Sequence, residues 1–363
     1  MPALPQARVT QKDVAREAGV SHVTVSLALR GRREIPLTTQ KKIKAIAKRL
    51  GYSPDPMLGA LSAYRRIQRP AAFHSNLAWI NSDPKPEGFY IGDYNLYFEG
   101  ARTRARELGY GLEKVHLADY NYDYRTVQRM LAARGINGLL IGPVPDYKTH
   151  IALDWSRYSA VRFGYSMLDT VLHTVTNSQY RTAFFAVEHL VRCGYRRIGY
   201  VTEKTFNIRT GGHFLGGFLS ARAFFATEEI PVATHGPVVD NQWDRYWEPV
   251  LRWAKKVKPD AILAGGGDTF YFLERQGFRI PEDFGFAALT VDKSEKQFSG
   301  MHQNPWSIGV GAANLLVSLI ERQETGIPET PMHVLFESRW IDGRTTAPLK
   351  KSANRAAFIP PAI

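Results

Sequence analysis

The stretch VTQKDVAREAGVSHVTVSLALRG, residues 9–31, contains two short helical patterns separated by a glycine. Thr10 and Asp13 have the spacing of a capping box, which favours the start of a helix. Gly19 suits the left-handed position that ends a helix, and Ser21 can cap a second helix two residues later. A helix, a short glycine-containing turn and a second helix are typical of a helix-turn-helix.

A third helix is predicted to follow, because Pro36 suits a first helical turn and apolar residues recur after it at helical spacing. These apolar residues are Ile43, Ile46, Ala47 and Leu50, and Gly51 ends the helix. Four lysines lie opposite the apolar stripe: Lys41, Lys42, Lys44 and Lys48. Three short helices around one apolar centre predict a self-contained domain, which we place at residues 1–55.

The periodicity of the second helix directs Val25, Ala28 and Leu29 towards this centre. It leaves side chains that suit the major groove of DNA on the outside or at the helix start: Ser21, Val23, Thr24, Ser26, Leu27 and Arg30. The valine and the leucine can contact thymine methyl groups, while the hydroxyls and the guanidinium can bond phosphates or base edges. Packing of Leu27 against a neighbouring domain is the alternative.

The positive charge of the chain is concentrated in its first part. Residues 1–70 contain 14 Lys/Arg and 4 Asp/Glu, and so carry +10 of the formal net charge of +13 of the 363-residue chain. A basic head on a nearly neutral body predicts that the head alone meets a polyanion such as double-stranded DNA.

Composition and motifs exclude several other classes of protein. No apolar stretch approaches the roughly 20 residues that cross a bilayer, and the N-terminus has no signal-peptide core, so we expect a cytoplasmic, nucleoid-associated protein without a membrane partner. The single cysteine, Cys193, excludes an intramolecular disulfide and a cysteine-rich zinc site. The glycine-rich LAGGGD at residues 263–268 lacks the lysine of a phosphate loop. We therefore expect no enzyme activity, no catalytic residues, no metal and no cofactor.

From about residue 73, short apolar strands alternate with amphipathic helices. The predicted strands are NLAWIN, GLEKVHL, NGLLIG and AVRFG in a first series, then RRIGYVT, GPVVD, AILAGG and FGFAAL in a second. Strands that alternate with helices form parallel sheets with right-handed crossovers, so two series predict two doubly wound parallel-sheet lobes. A ligand is expected in the cleft at the C-terminal ends of the strands.

The head resembles the lactose-repressor/galactose-repressor (LacI/GalR) family of bacterial transcription regulators, without a gap from Val9 to Leu61. The body resembles the family more weakly, at INGLLIG, AVEHLVRCGYRRIGYV, GFRIPEDFGF and RWIDGRTT. The resemblance implies a small all-α helix-turn-helix head joined to an α/β effector domain similar to periplasmic binding proteins. It further implies a homodimeric regulator, most often a repressor, that binds a palindromic operator and responds to a small-molecule effector such as a sugar.

The resemblance also implies a division of the chain. The head at residues 1–55 is followed by a hinge helix and linker at 56–70, an effector and dimerisation domain at 73–345 and a tail at 346–363. Crossovers near residues 190, 303 and 331 assign 73–190 and 303–330 to lobe 1, and 191–302 and 331–345 to lobe 2.

DNA contacts are carried over from the family position by position. His22 and Val23 occupy base-reading positions, and Leu27 occupies a third, where many relatives carry arginine. Leu61 matches a leucine that wedges between central base pairs of the operator. The complete set of expected DNA contacts is Thr10, Ser21, His22, Val23, Thr24, Ser26, Leu27, Arg30, Thr39, Leu58 and Leu61.

Effector contacts are carried over in the same way. The expected set is Tyr94, Asn177, Arg209, Trp243, Asp268 and Asp292. Asn177 takes over from an aspartate whose position holds Ser178 here, and the acidic positions near Asp268 and Asp292 are displaced from the family pattern. A surface ion pair is the alternative for Arg209, and a place in the core is the alternative for Trp243.

A second class of function stays open at this point. The chain could be a solute-binding or sugar-processing protein whose basic head only tethers it. The absence of a recognisable catalytic constellation counts against this alternative, and DNA binding by the head would decide between the two.

Overall fold

The computed structural model describes residues 9–29, 35–52, 75–85, 94–236, 243–292, 295 and 297–348. The chain forms two compact units, one of residues 1–73 with 321–324 and one of residues 74–320 with 325–363. We call the described residues up to 52 the head and those from 75 onwards the body.

Three helices form the head, as predicted: α1 (Gln11–Ala18), α2 (His22–Leu29) and α3 (Leu37–Arg49). Their shared core consists of the buried residues Val14, Ala15, Ala18, Val25, Ala28, Ile43 and Ala47. Leu29, Ile46 and Leu50 pack against this core and are partly buried.

Local interactions fix the start of α1 and the turn between α1 and α2. The backbone N–H and the hydroxyl of Thr10 donate to the Asp13 carboxylate at 2.9 and 2.7 Å. Gly19 ends α1 with a φ of 66°, a conformation that costs glycine little. The Ser21 hydroxyl accepts a 3.0 Å hydrogen bond from the backbone N–H of Thr24. These short-range interactions explain why the helix-turn-helix could be predicted from its residue types.

The body alternates helices with strands. Its helices are α4 (Tyr94–Glu107), α5 (Tyr124–Ala133), α6 (Gln179–Arg192), α7 (Lys204–Arg209), α8 (His213–Phe224), α9 (Trp243–Val257), α10 (Asp268–Arg275) and α11 (Pro305–Arg322). Its strands are β1 (Ser75–Asn81), β2 (Tyr110–His116), β3 (Gly138–Ile141), β4 (Ser159–Phe163), β5 (His173–Asn177), β6 (Ile198–Glu203), β7 (Ala233–His235), β8 (Ala261–Ala264), β9 (Gly285–Ala288), β10 (Ser299–His302), β11 (His333–Phe336) and β12 (Arg339–Ile341). Two short 3₁₀ helices lie at Leu117–Tyr120 and Trp155–Arg157.

The strands form two sheets, one in each lobe. Within the described residues, the first sheet has the order β11-β5-β4-β3-β1-β2, and all its strand pairs are parallel. The second has the order β12-β10-β9-β8-β6-β7, and only its edge strand β12 is antiparallel. The predicted pair of doubly wound lobes is confirmed.

Both faces of each sheet are covered by the core. In β1, Leu77 and Trp79 belong to one apolar cluster, while Ala78 and Ile80 belong to a cluster on the opposite face. The second sheet is divided in the same way, with Tyr200 and Val201 of β6 in separate clusters. A strand buried on both faces must be apolar throughout, which is why these strands are continuous apolar runs in the sequence.

The crossovers between the lobes differ from the prediction at two of three places. The first lies at residue 178, because α6 packs in the core of the second lobe, and not near residue 190. The second lies near residue 303, as expected. The third lies at residues 337–338 and not near 331, because β11 pairs with β5 in the first sheet.

One predicted strand is also displaced. GPVVD begins at Gly236, and the rest of it lies outside the described residues, whereas β7 precedes it at Ala233–His235.

Candidate DNA-binding face and ligand cleft

The first turns of α2 present the predicted groove-facing residues. Ser21 and His22 are exposed, and Val23 is 63% exposed, an unusual value for a valine within a helix. Thr24 and Leu27 are half-buried. The Thr24 and Ser21 hydroxyls lie 2.8 Å apart, so the two side chains support each other at the start of the helix. The valine and leucine form the apolar part of a face that could meet base edges.

Ser26 corrects the prediction for this face, because it is only 9% exposed. Ser26 lies one helical turn before Leu29, which packs against the head core. Residues three apart lie on the same side of a helix, so Ser26 is on the side of α2 that faces the core. Ser26 is therefore not part of the exposed face.

The other predicted DNA contacts fall in three places. Thr10 is exposed, although its hydroxyl is held by Asp13, and Thr39 is half-buried on α3. Arg30, Leu58 and Leu61 lie outside the described residues. Their roles stay predictions.

The outer side of α3 adds positive charge to the head. Lys41, Lys42, Lys44 and Lys48 are all exposed, as the helical spacing predicts. Arg49 forms an ion pair with Glu17 of α1, which reduces its share of the free positive charge. Exposed ammonium groups of this kind bind phosphates without reading sequence.

The body has a cavity of about 270 Å³ between its lobes. It opens at the C-terminal ends of β4, β5 and β9, where a ligand is expected in sheets of this topology. Its aromatic lining consists of Tyr94, Tyr97, Phe163 and Tyr165 from the first lobe and Phe206 and Phe214 from the second. Several of these rings stack in pairs: the centroids of Tyr97 and Phe163 are 5.3 Å apart, and those of Phe206 and Phe214 are 5.7 Å apart.

Arg209, at the end of α7, joins the two lobes beside this cavity. Its Nε donates a 3.1 Å hydrogen bond to the carbonyl oxygen of Val144, and its Nη2 donates a 3.0 Å bond to the Tyr94 hydroxyl. Both acceptors belong to the first lobe. The guanidinium is therefore half-buried in the cleft, and the alternative of a surface ion pair is wrong.

A buried arginine organises the loop on the first-lobe side. Arg162 of β4 donates to the Thr174 hydroxyl at 2.9 Å and to the carbonyl oxygens of Met167 and Thr170. Burial lowers the pKa of this guanidinium. Ser166 of the same loop accepts a 2.9 Å bond from the backbone N–H of Val144, whose carbonyl oxygen accepts from Arg209. The loop thus positions the acceptor that Arg209 uses.

Amide side chains supply part of the remaining polar lining. Asn177 is 1% exposed, and its amide donates to the Thr182 hydroxyl at 3.2 Å. Gln303 donates to the carbonyl oxygen of Leu289 and to the hydroxyl of Thr290, at 3.0 and 2.6 Å. The Gln179 amide oxygen is buried and has no hydrogen-bond partner within the described part of the chain.

Three of the six predicted effector residues line the cavity: Tyr94, Asn177 and Arg209. Asp268 is exposed at the start of α10 and Asp292 is half-buried, and neither belongs to the described lining. Trp243 begins α9, but its side chain lies outside the described residues. The sequence prediction missed Gln179, Gln303 and most of the aromatic residues of the lining. Many of these residues come directly after a predicted strand or on the helix that follows it, and this position could have identified them as lining residues.

Comparison with known proteins identifies the head. A family model described as bacterial regulatory proteins, lacI family, matches residues 10–55, which include all three head helices. Residues 10–55 are therefore similar to the DNA-binding head of the lacI family. A second model, described as a periplasmic binding protein-like domain, matches residues 187–346 of the body. The protein is thus a DNA-binding transcriptional regulator whose body resembles a ligand-binding domain. The alternative of a solute-binding protein with a basic tether is set aside.

Similar proteins extend over nearly the whole chain. The transcriptional repressor PurR of Pectobacterium atrosepticum is 22% identical over 92% of this chain and 96% of its own length. PurR of Escherichia coli O1:K1 is 23% identical over 93% of this chain and 97% of its own length. These relatives are regulators rather than enzymes.

Solved structures share the fold of this chain. A complex of the transcriptional regulator CelR with cellobiose has a TM-score of 0.61 and 19% identity, covering 93% of this chain and 100% of that one. The lac repressor dimer bound to operator and the anti-inducer ONPF has a TM-score of 0.57 and 17% identity, covering 94% and 100%. Among the residues described here, no helix is both long and apolar enough to span a membrane.

Proposed function

We propose that this protein represses transcription as a homodimer on a palindromic operator, and that a small hydroxylated ligand such as a sugar controls its operator affinity from the interlobe cleft. The observation that carries the proposal is the contact of Arg209 with Val144 and Tyr94, since one side chain joins the two lobes at the cavity. A ligand there would change the contacts that set the spacing of the lobes.

The exposed face of α2 supports the DNA-binding half of the proposal. Val23 and Leu27 would contact base edges, while Ser21, His22 and the α3 lysines would bond phosphates or base edges. The PurR relatives are named repressors, and the lac repressor neighbour was solved as a dimer on operator. A two-fold symmetric dimer favours a palindromic operator with two half-sites.

The aromatic lining of the cavity supports the ligand half. Apolar faces of a sugar ring stack on aromatic side chains, while amide and hydroxyl groups between them bond the ring hydroxyls. The CelR neighbour was solved with cellobiose, which suits this chemistry. The residues we propose as ligand contacts are Tyr94, Asn177, Gln179, Arg209 and Gln303.

Control follows from linkage between the two sites. A ligand that binds one lobe arrangement better than another shifts the protein towards that arrangement by its differential affinity. The lobes would transmit this shift to the operator through the spacing of the two heads in the dimer.

A gel-shift titration tests the proposal. The duplex is the promoter next to the gene for this chain, and a scrambled duplex of equal length is the control. We expect a retarded complex on the promoter at concentrations at least tenfold below those needed for the scrambled duplex, and a change in its affinity with one of a set of sugars. Equal affinity for both duplexes would contradict the proposed operator binding.

A further inference from the structure

Helix α2 lacks every side chain that reads a base pair through two hydrogen bonds. Its eight residues, HVTVSLAL, include no arginine, lysine, asparagine, glutamine or acidic residue. Arginine, lysine, asparagine and glutamine are the residue types that bond two atoms of a guanine or an adenine edge in the major groove. His22 is exposed, but each of its ring nitrogens forms only one hydrogen bond. The discrimination that α2 provides must therefore come mainly from other groups.

The hydroxyl groups at the start of α2 are partly engaged with each other. The Ser21 hydroxyl accepts a 3.0 Å hydrogen bond from the backbone N–H of Thr24, and it lies 2.8 Å from the Thr24 hydroxyl, so one hydroxyl donates to the other. Ser26, the remaining hydroxyl of α2, is buried. These bonds hold the first turn in place and leave fewer hydroxyl donors for base edges.

Val23 and Leu27 form an apolar pair on the outer side of α2. They are four residues apart, so they lie on the same side of the helix, about 6 Å apart along its axis. Val23 is 63% exposed and Leu27 is half-buried, whereas Val25 between them is fully buried in the head core. The one methyl group that a base pair presents in the major groove is the 5-methyl group of thymine. Covering this methyl group is favourable for an apolar side chain, while covering a polar base edge is costly.

We infer that α2 reads thymine through its 5-methyl group, with Val23 and Leu27 as the specificity-determining residues. Base pairs stack at about 3.4 Å, so the two side chains reach thymines one or two base steps apart in each half-site. The methyl group of 5-methylcytosine occupies the same place in the groove, so the helix accepts this base more readily than cytosine. The inference rests on the proposed function, because it takes α2 to lie in the major groove of an operator.

Replacement of thymine by uracil tests this inference on the full chain. A preferred duplex is selected from a random library, and its thymines are then replaced by deoxyuridine, one symmetric pair at a time, which removes only the methyl group. At two such pairs we expect the affinity in gel shifts to fall about three- to tenfold, because one methyl contact is lost from each half-site. At the same positions, 5-methylcytosine should bind more tightly than cytosine by a similar factor. Equal binding of the thymine and uracil duplexes at every pair, or of the cytosine and 5-methylcytosine duplexes, would overturn the inference.

Substitutions in α2 assign each methyl contact to a side chain. Val23→Ala should remove the preference for thymine over uracil at one pair of positions and keep it at the other, and Leu27→Ala should do the reverse. Each preference is a ratio of two affinities measured on one variant, so a change in the stability of the head does not alter it. Leu37→Ala, at a 73% exposed position on α3, is the matched control and should keep both preferences. A ratio that stays at the parent value in either α2 variant would overturn the role of that residue.

The outcomes separate the inference from the proposed function. If a preferred duplex is selected and its uracil form binds equally well, the reading of methyl groups is wrong and operator binding stands. If no duplex is preferred over the rest of the library, operator binding by this chain is wrong, and the inference is wrong with it.

Discussion

Arg209 of the second lobe donates a 3.1 Å hydrogen bond to the carbonyl oxygen of Val144 in the first lobe. Its second bond, to the Tyr94 hydroxyl at 3.0 Å, also crosses the cleft. Ser166 holds the Val144 backbone in turn. The side chain expected to contact a ligand therefore also ties the two lobes together, so its substitution should affect ligand affinity and lobe spacing at once.

Arg209→Ala should weaken binding of the effector by about 1.5–3 kcal/mol, because hydrogen bonds from a charged group at a partly buried site are lost. It should also increase the radius of gyration of the ligand-free protein in X-ray scattering, since both cross-lobe bonds disappear. Arg252→Ala, at an exposed position on α9, is the control. If calorimetry and scattering both match the parent protein, Arg209 has neither role.

Gly217→Ala should destabilise the second lobe by about 1–3 kcal/mol, because the helices α6 and α8 touch at this residue. A Cβ atom on Gly217 would lie 2.0 Å from the backbone oxygen of Tyr180, which cannot move without shifting α6. Gly216→Ala is the matched control, since its Cβ would meet nothing within 4 Å. It should stabilise α8 by about 0.5–1 kcal/mol. Denaturant unfolding followed by circular dichroism measures both, and equal effects would rule out the close helix contact.

Val23→Ala and Val25→Ala should separate DNA contact from folding. Val25 is fully buried in the head core, so its truncation should cost about 1–3 kcal/mol and increase amide exchange throughout α1 to α3. Val23 is 63% exposed, so its truncation should leave amide exchange unchanged and reduce operator affinity by about 1 kcal/mol per half-site. If Val23→Ala binds the operator as the parent does, this valine does not contact a base.

Acidification should destabilise the second lobe through His235. Burial beside Trp247, with the ring centroids 4.0 Å apart, lowers the pKa of the imidazole below its usual 6.5. The unfolded chain then binds more protons than the folded chain, so the stability contribution is present above pH 6.5 and is lost as the pH falls below it. His235→Gln should reduce the loss of stability between pH 7 and pH 5, as measured by Trp fluorescence during unfolding.

In His235→Gln, the dependence of the free energy of unfolding on pH should be reduced rather than abolished. Burial also lowers the pKa of His189 and His333, so these residues contribute in the same direction. His22→Gln, on the exposed surface of the head, is the control for the His-to-Gln change itself. A slope in His235→Gln equal to that of the parent would contradict the assignment.

The head could be predicted from the sequence almost completely, because its signals are local. The Thr10–Asp13 capping pair, Gly19 and the spacing of Ile43 and Ala47 act within one or two helical turns. Ser26 was misplaced because α2 lacks a single apolar stripe, so only packing against the other two helices decides which of its flanks is covered.

The two lobes of the body could be predicted from the sequence, but the crossover points between them and most residues of the ligand cavity could not. The apolar pattern of α6 shows that the helix covers a sheet, but not which of the two. The edge strand β11 has only four residues, which is too short to be assigned without its partner β5. The place of Gln179 could not be predicted for the same reasons. It lines the cavity because β5 ends just before it and because α6, which it begins, belongs to the other lobe.

The most direct test of the central claim is the salt dependence of DNA affinity for the intact chain and for a variant lacking residues 1–55. Because residues 1–70 carry +10 of the net charge, we expect a log–log slope on the order of −5 to −10 for a dimer that contacts several phosphates with each head. The truncated variant should not bind the duplex, while its body stays folded and binds the ligand. A slope near zero for the intact chain, or equal affinity of the two proteins, would contradict DNA binding through the head.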